Sequence, residues 1–199
     1  PIWVGINGTA VTFFAFALAY TGRGHVVRSP VMAAVAAVPV GSTLLVATSP
    51  LHDLALRGYD VDALFGAATV TYAHGPWLLA TIAVAYGLLA AAVFLLLDTV
   101  VSYGDPYRRQ AVALAVSPLP AVVVSLPWLF QFGPYWQLNL IPLTFPIHVA
   151  LDTYALFQED MFAVTPAARR AGERAAIDDL GSGVVLVDVE GRIVTANAE

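Results

Sequence analysis

Cysteine is absent from the 199 residues, which excludes disulfides, thiolate metal sites and cysteine nucleophiles. Lysine is absent too, so all nine basic residues are arginines. A retinal pigment needs a membrane lysine for its Schiff base, and that class is set aside. Charge is scarce: 12% of residues are charged, about half the usual fraction of a soluble domain, whereas 59% are hydrophobic. One globular core of this size cannot hide so much apolar surface, so lipid is the solvent for much of the chain. Ile2 to Tyr20 lacks the basic start and small-residue cleavage site of a signal peptide. The chain opens on Pro1 without an initiator Met and stops inside an apparent fold, so a piece of a longer protein is expected. The Arg-only basic set and a formal charge of −5 look halophile-like, although high genomic GC content gives the same bias. No nucleic-acid partner is expected.

What is present is a series of long apolar runs, at 2–20, 30–48, 76–98, 110–130 and 138–157. Each is about 19 to 23 residues, enough at about 1.5 Å per residue to cross a hydrocarbon core of about 30 Å. Backbone in lipid must satisfy itself, so these are expected to be helices. If the five alternate, eight arginines share one side: Arg23, Arg28, Arg108, Arg109, Arg169, Arg170, Arg174 and Arg192. Only Arg57 lies on the other. The positive-inside rule then puts the start of the chain outside and its tail in the cytoplasm. Trp3, Trp77, Trp128 and Trp136 all fall at outer ends, as an interfacial belt or, for some, as the wall of an outward-facing ligand pocket.

The long outer connector, about 49–75, has β-prone runs on either side of Gly66 and predicts a hairpin lying over the bundle. His52 and His74 flank it, with Asp53, Asp60 and Asp62 between. Two histidines and a carboxylate can bind a metal, but no tight ligand spacing supports it, and a solvated acidic loop is the plainer reading. After Phe157, Thr165 and Pro166 form a helix start, N-cap and first helical position, for a linker helix over 161–180. The stretch 181–199 has two β-rich runs around Glu190-Gly191, a hairpin that opens a new domain.

Inside the spans the best polar pair is His148 and Asp152, which share a helix face at i, i+4. They read as a protonatable relay between the outer half of the last helix and the tail, or as an interhelical hydrogen bond. Pro142 and Pro146 precede them and should kink or loosen that helix. Pro118, Pro120 and Pro127 crowd the fourth span. Asp98 is expected to pair with Arg108 or Arg109 at the inner surface. Gly5 and Gly8 are expected to allow close helix approach.

Several motifs together resemble a known arrangement. Thr12 to Arg23 is similar to the third helix of the seven-helix N-terminal sensor domain of histidine kinases, common in haloarchaea. Ser49-Pro50-Leu51-His52 resembles that family's Asn-Pro-Leu-His, with Ser49 in place of Asn. Gly75-Pro76-Trp77 and Tyr107-Arg108-Arg109-Gln110 resemble the two ends of its fifth helix. Asp188-Val189-Glu190-Gly191-Arg192-Ile193-Val194 with Asn197 looks like the first hairpin of a PAS domain.

The resemblance implies a mainly α fold: a polytopic transmembrane bundle over 1–160 whose five helices correspond to the third to seventh of seven. A small outer hairpin, the 161–180 linker and a truncated α/β PAS start at 181–199 complete it. The implied function is the sensor of a two-component histidine kinase, in the cell membrane, signalling through the last helix to PAS and kinase domains. A homodimer, a response regulator reached through the kinase domains and an unknown small ligand are the implied partners besides the bilayer. ATP and Mg belong only to those kinase domains: all four histidines precede residue 149 and no glycine-rich ATP lid is present, so no catalytic group, cofactor or metal is expected here. The ligand candidates are His148, Asp152, Trp77, His52 and Trp128; the transmission candidates are Pro142, Pro146, Thr165 and Pro166. A membrane-tethered sensor with a transcription-regulator output, or a small-solute transporter, are the alternatives. A transporter would carry pathway charges in several spans, and only His148 and Asp152 qualify.

Overall fold

The computed structural model describes residues 2–102, 105–157, 185–187 and 193–196. Apolar sequence of bilayer length has only helix available to it, and the chain is mostly helical. In order come α1 (Ile2–Tyr20), a short α2 (Gly24–Val27), α3 (Pro30–Ala47), a 3-10 turn at Ser49–Leu51, strands β1 (Leu56–Leu64) and β2 (Ala67–His74), then α4 (Pro76–Ser102), α5 (Asp105–Val116), α6 (Leu119–Phe130), a 3-10 turn at Ile141–Thr144 and α7 (Phe145–Phe157). Strands β3 (Val185–Val187) and β4 (Ile193–Ala196) pair antiparallel as a separate hairpin. The linker 161–180, with Thr165 and Pro166, and the Glu190-Gly191 turn lie outside the described residues.

Among the described residues, Pro30–Ala47, Pro76–Val101 and Arg108–Phe130 are long and apolar enough to cross a membrane, while Gly8–Tyr20 and Ile141–Phe157 are shorter apolar helices. Two spans differ from expectation, and proline is the cause in both. The fourth divides at Ser117-Pro118: neither Pro118 nor Pro120 has an N–H for the ladder, so α5 ends at Val116 and α6 restarts at Leu119. The Ser117 hydroxyl donates to the Leu114 carbonyl freed there. The last span starts as a 3-10 turn containing Pro142, and Pro146 sits at the second residue of α7, so the expected loosening is confined to the helix start.

The core lies at one end of the bundle. Phe13, Ala17 and Tyr20 of α1, Ala92 and Leu96 of α4, Ala113 to Ala115 of α5 and Ala155 of α7 are buried together. Alanine predominates because helices in lipid associate through close packing, which a small side chain permits. Gly5 and Gly8 do not serve this purpose: a Cβ at either would meet nothing within 4 Å. Their carbonyls instead accept hydrogen bonds from the Thr9 and Thr12 hydroxyls.

The expected hairpin is present and packs on the other end. Phe65 and Gly66 both have positive φ, 53° and 80°, and Leu64 pairs with Ala67, the geometry of a two-residue type I′ turn. A register shift between Arg57 and Asp60 places Gly58, at φ 54°, in a bulge. The foot of the hairpin, Ala55 and Leu56, is buried against Leu78 with Val46, Tyr72, Ile82 and Trp128 around it. Gly75 is required there: a Cβ on it would lie 2.3 Å from the Leu54 carbonyl oxygen, and its N–H donates to Ala55 at 2.8 Å.

Candidate functional site

α7 carries the intramembrane pair. Four residues apart, His148 and Asp152 stack on one face, and Nε2 lies 3.3 Å from Oδ2. The side chains are 25% and 30% exposed, and the imidazole lies 6.4 Å from the Phe13 ring of α1. The remaining polar atoms, Nδ1 of His148 and Oδ1 of Asp152, are covered and have no hydrogen-bond partner among the described residues. An ionisable pair that satisfies only half its hydrogen-bonding capacity is poised rather than locked.

Less than one turn beyond Asp152 lies a node that the sequence reading did not single out. Gln110 of α5 is 1% exposed. Its Oε1 accepts the Tyr20 hydroxyl of α1, and its Nε2 donates to the Ala155 carbonyl of α7 at 3.2 Å. One amide thus joins three helices. Beside it, Arg23 pairs with Asp98 at 3.3 Å, tying the end of α1 to that of α4. This corrects the expectation that Asp98 pairs with Arg108 or Arg109, whose side chains are exposed at the start of α5. The ends of α1, α4 and α7 and the start of α5 therefore lie on one side of the bundle.

At the hairpin end, polar groups close on one another. Trp77 Nε1 donates to Ser42 Oγ at 3.2 Å, and the Thr81 hydroxyl donates to the Trp77 carbonyl at 2.9 Å. The 3.0 Å contact between Ser42 and Thr81 must therefore be donated by Ser42, which closes a ring between α3 and α4. Trp128 bonds the Tyr72 hydroxyl and lies 4.6 Å from the His74 ring. His52 uses both ring nitrogens locally, Nε2 with the Thr48 hydroxyl at 3.0 Å and Nδ1 with the Leu54 N–H at 3.3 Å. His52 and His74 are not brought to a common centre, and among the described residues no three His or carboxylate groups cluster as metal ligands. The structure thus separates the sequence-predicted candidates: His148 and Asp152 meet, Trp77 and Trp128 hold different parts of the hairpin end, and His52 shapes its own turn.

The family model for the N-terminal 7TM region of histidine kinase matches residues 2–166. The chain belongs to that family. The match takes in every helix from α1 to α7 and the β1–β2 hairpin, so this 7TM region is a membrane sensor region of histidine kinases, multi-pass by its family and its apolar helices. It stops before β3 and β4, so that hairpin lies beyond it. No curated protein and no solved structure matches the chain.

Proposed function

We propose that the 7TM region receives a signal in or across the membrane and transmits it by a shift of α7 to the 161–180 linker, a PAS domain starting near 181 and the kinase domains of a homodimer. A response regulator then accepts the phosphoryl group. In this reading the arginine-bearing side is cytoplasmic, and the His148–Asp152 pair is the element whose protonation or hydrogen bonding the signal changes. The polar atoms of Trp77, Trp128 and His52 are engaged within the protein, which favours the α7 pair over them as the responsive element. Thr165 and Pro166 start the helix that carries the shift onward.

The observation that carries the proposal is the Gln110 amide, which holds the Ala155 carbonyl of α7 and the Tyr20 hydroxyl of α1 together. A shift of α7 at this point exchanges those bonds, so the transmission is expected to be a step between packings rather than a continuous drift. Couplings of this kind are typically about 1–3 kcal/mol, or about 5- to 150-fold in an equilibrium. The test is autophosphorylation from ATP by the intact protein in bilayers, for His148→Ala, Asp152→Asn, Tyr20→Phe and Gln110→Leu. Basal rates displaced several-fold are expected. Unchanged rates in all four, at equal amounts of folded protein, would refute the transmission route.

A further inference from the structure

His74 closes the foot of the hairpin. It is the last residue of β2, opposite Leu56, and its half-buried ring fits a corner made by Trp128 at 4.6 Å and the edge of Tyr72 at 6.1 Å. The Leu129 carbonyl, at the end of α6, faces the ring as a hydrogen-bond acceptor. Nε2 is completely covered and has no hydrogen-bond partner among the described residues. Adjacent contacts complete the docking of β2: Trp128 bonds the Tyr72 hydroxyl, and Gln131 Nε2 donates to the Tyr72 carbonyl at 2.9 Å. At the far end of the hairpin Phe65 lies 5.2 Å from Tyr135. The strand pair and the end of α6 are therefore held together largely through one short surface, and His74 is the only group in it with an ordinary pKa near neutrality.

We propose that this foot is an acid-released latch: protonation of His74 drives its imidazole out of the Trp128–Tyr72 corner and undocks the β1–β2 hairpin from α6. A second ring proton would sit on Nε2, which the docked structure covers without offering an acceptor among the described residues. The Trp128 ring and the Leu129 carbonyl favour a cation, but neither gives Nε2 a partner. Among the described residues no carboxylate is paired with it. On β1 the cross-strand residue is Leu56, followed by Arg57, and Asp60 and Asp62 lie beyond the bulge towards the turn; in the segment before β1, Asp53 is exposed and His52 turns its ring nitrogens to Thr48 and Leu54. On its own strand the neighbour is Tyr72, whose phenol burial holds protonated and uncharged. Leu119–Phe130 contains no titratable residue, nor does the segment Gln131 to Gln137 apart from Tyr135, which packs on the turn. In α4 the titratable residues are Tyr86, bonded to Ser125, and Asp98, at the opposite end.

The direction of the effect follows from burial, which holds the docked imidazole below the ordinary histidine value of 6.5. Above that value neither state takes up the proton, and docking is at full strength. As pH falls below it the undocked state is protonated first, and the docking equilibrium weakens by up to about tenfold per pH unit until the docked ring itself titrates. The latch does not depend on how α7 signals, and an acidified medium on the hairpin face is the only input it requires.

The absence of cysteine makes the experiment direct. Val70→Cys and Phe132→Cys place spin labels on two exposed positions, one on β2 and one just beyond α6, and the distance between them is measured in bilayers from pH 8 to pH 4.5. A short, narrow distribution at neutral pH is expected to give way to a longer, broader one with a midpoint below 6.5. His74→Asn and His74→Phe, neutral at every pH used, should abolish that transition. No change down to pH 4.5 in the parent would overturn the proposal, as would the same transition persisting in both variants. If both variants are undocked throughout, the parent's midpoint decides: between 5 and 6.5 supports a histidine, whereas a transition that begins only below 5 sinks the latch.

Discussion

Gln110→Leu has a consequence that separates a working hydrogen-bond node from ordinary packing. Leucine is close in volume, so the loss is polar. It leaves the Tyr20 hydroxyl and the Ala155 carbonyl without that partner, in surroundings where Tyr20 is 4% exposed and Ala155 0%. An orphaned buried group costs about 1–3 kcal/mol in water-soluble proteins, and interhelical bonds in a membrane average about 0.6 kcal/mol. The single substitution should therefore cost about 1–3 kcal/mol. Tyr20→Phe orphans only the Gln110 oxygen and should cost about 0.5–1.5 kcal/mol. In the double variant only the Ala155 carbonyl lacks its partner, so it should be no less stable than Gln110→Leu alone. The two changes should thus couple by about 1–2 kcal/mol, measured by reversible unfolding in mixed micelles as a double-mutant cycle. Additive losses would mean that the hydroxyl–amide contact carries no energy, and the three-helix node would fail with it.

Other substitutions test separate parts. His148→Leu should destabilise more than His148→Leu combined with Asp152→Leu, because the single change leaves a carboxylate without its cation or donor; equal unfolding midpoints would contradict the pairing. Gly75→Ala should loosen the hairpin foot by about 1–3 kcal/mol, since its Cβ would meet backbone that cannot swing aside, and faster amide exchange at Ala55 and Leu56 reports it. Arg23→Gln and Asp98→Asn should each change stability by less than about 0.5 kcal/mol and lose even that in high salt, because both side chains are open to solvent. A larger effect would place that ion pair in the folding core.

Much of the architecture was legible because lipid leaves few options. Run length set the helices, and the β-prone flanks of Gly66 set the hairpin, since backbone confined to apolar solvent and a two-residue turn each have a narrow set of solutions. The break at Pro118 was visible as a crowd of prolines, although not as the division of one helix into two. Pairings between distant residues were not visible. Asp98 lies ten residues from Arg108 in sequence, yet its partner is Arg23, because the end of α1 and not the start of α5 stands beside it. Gln110 read as a residue at a span border, and its two partners lie 90 and 45 positions away. Its signal was a lone amide opening an apolar run: a group that costs free energy to bury persists where it has partners. Gly5 and Gly8 misled for the opposite reason, since small residues permit close approach without requiring it.

The polar links gather at two ends of the bundle. At the hairpin end, α3 and α4 are joined by the Trp77–Ser42–Thr81 ring, and α6 is held to β2 by Trp128, Gln131 and His74. At the other end, α1, α5 and α7 converge on Gln110. Between them α4 and α6 share the Tyr86–Ser125 hydrogen bond, in which the tyrosine must be the donor because Ser125 donates to the Val122 carbonyl. The fourth span is cut between these regions, at Ser117-Pro118, so α6 can follow the hairpin end while α5 stays with the node. α7 has no such division over Phe145–Phe157, and His148 and Asp152 lie between its proline-loosened start and the Ala155 anchor. In the proposed reading a rearrangement at the hairpin end reaches the node through the undivided helices α4 and α7, and α7 carries it past the half-satisfied pair.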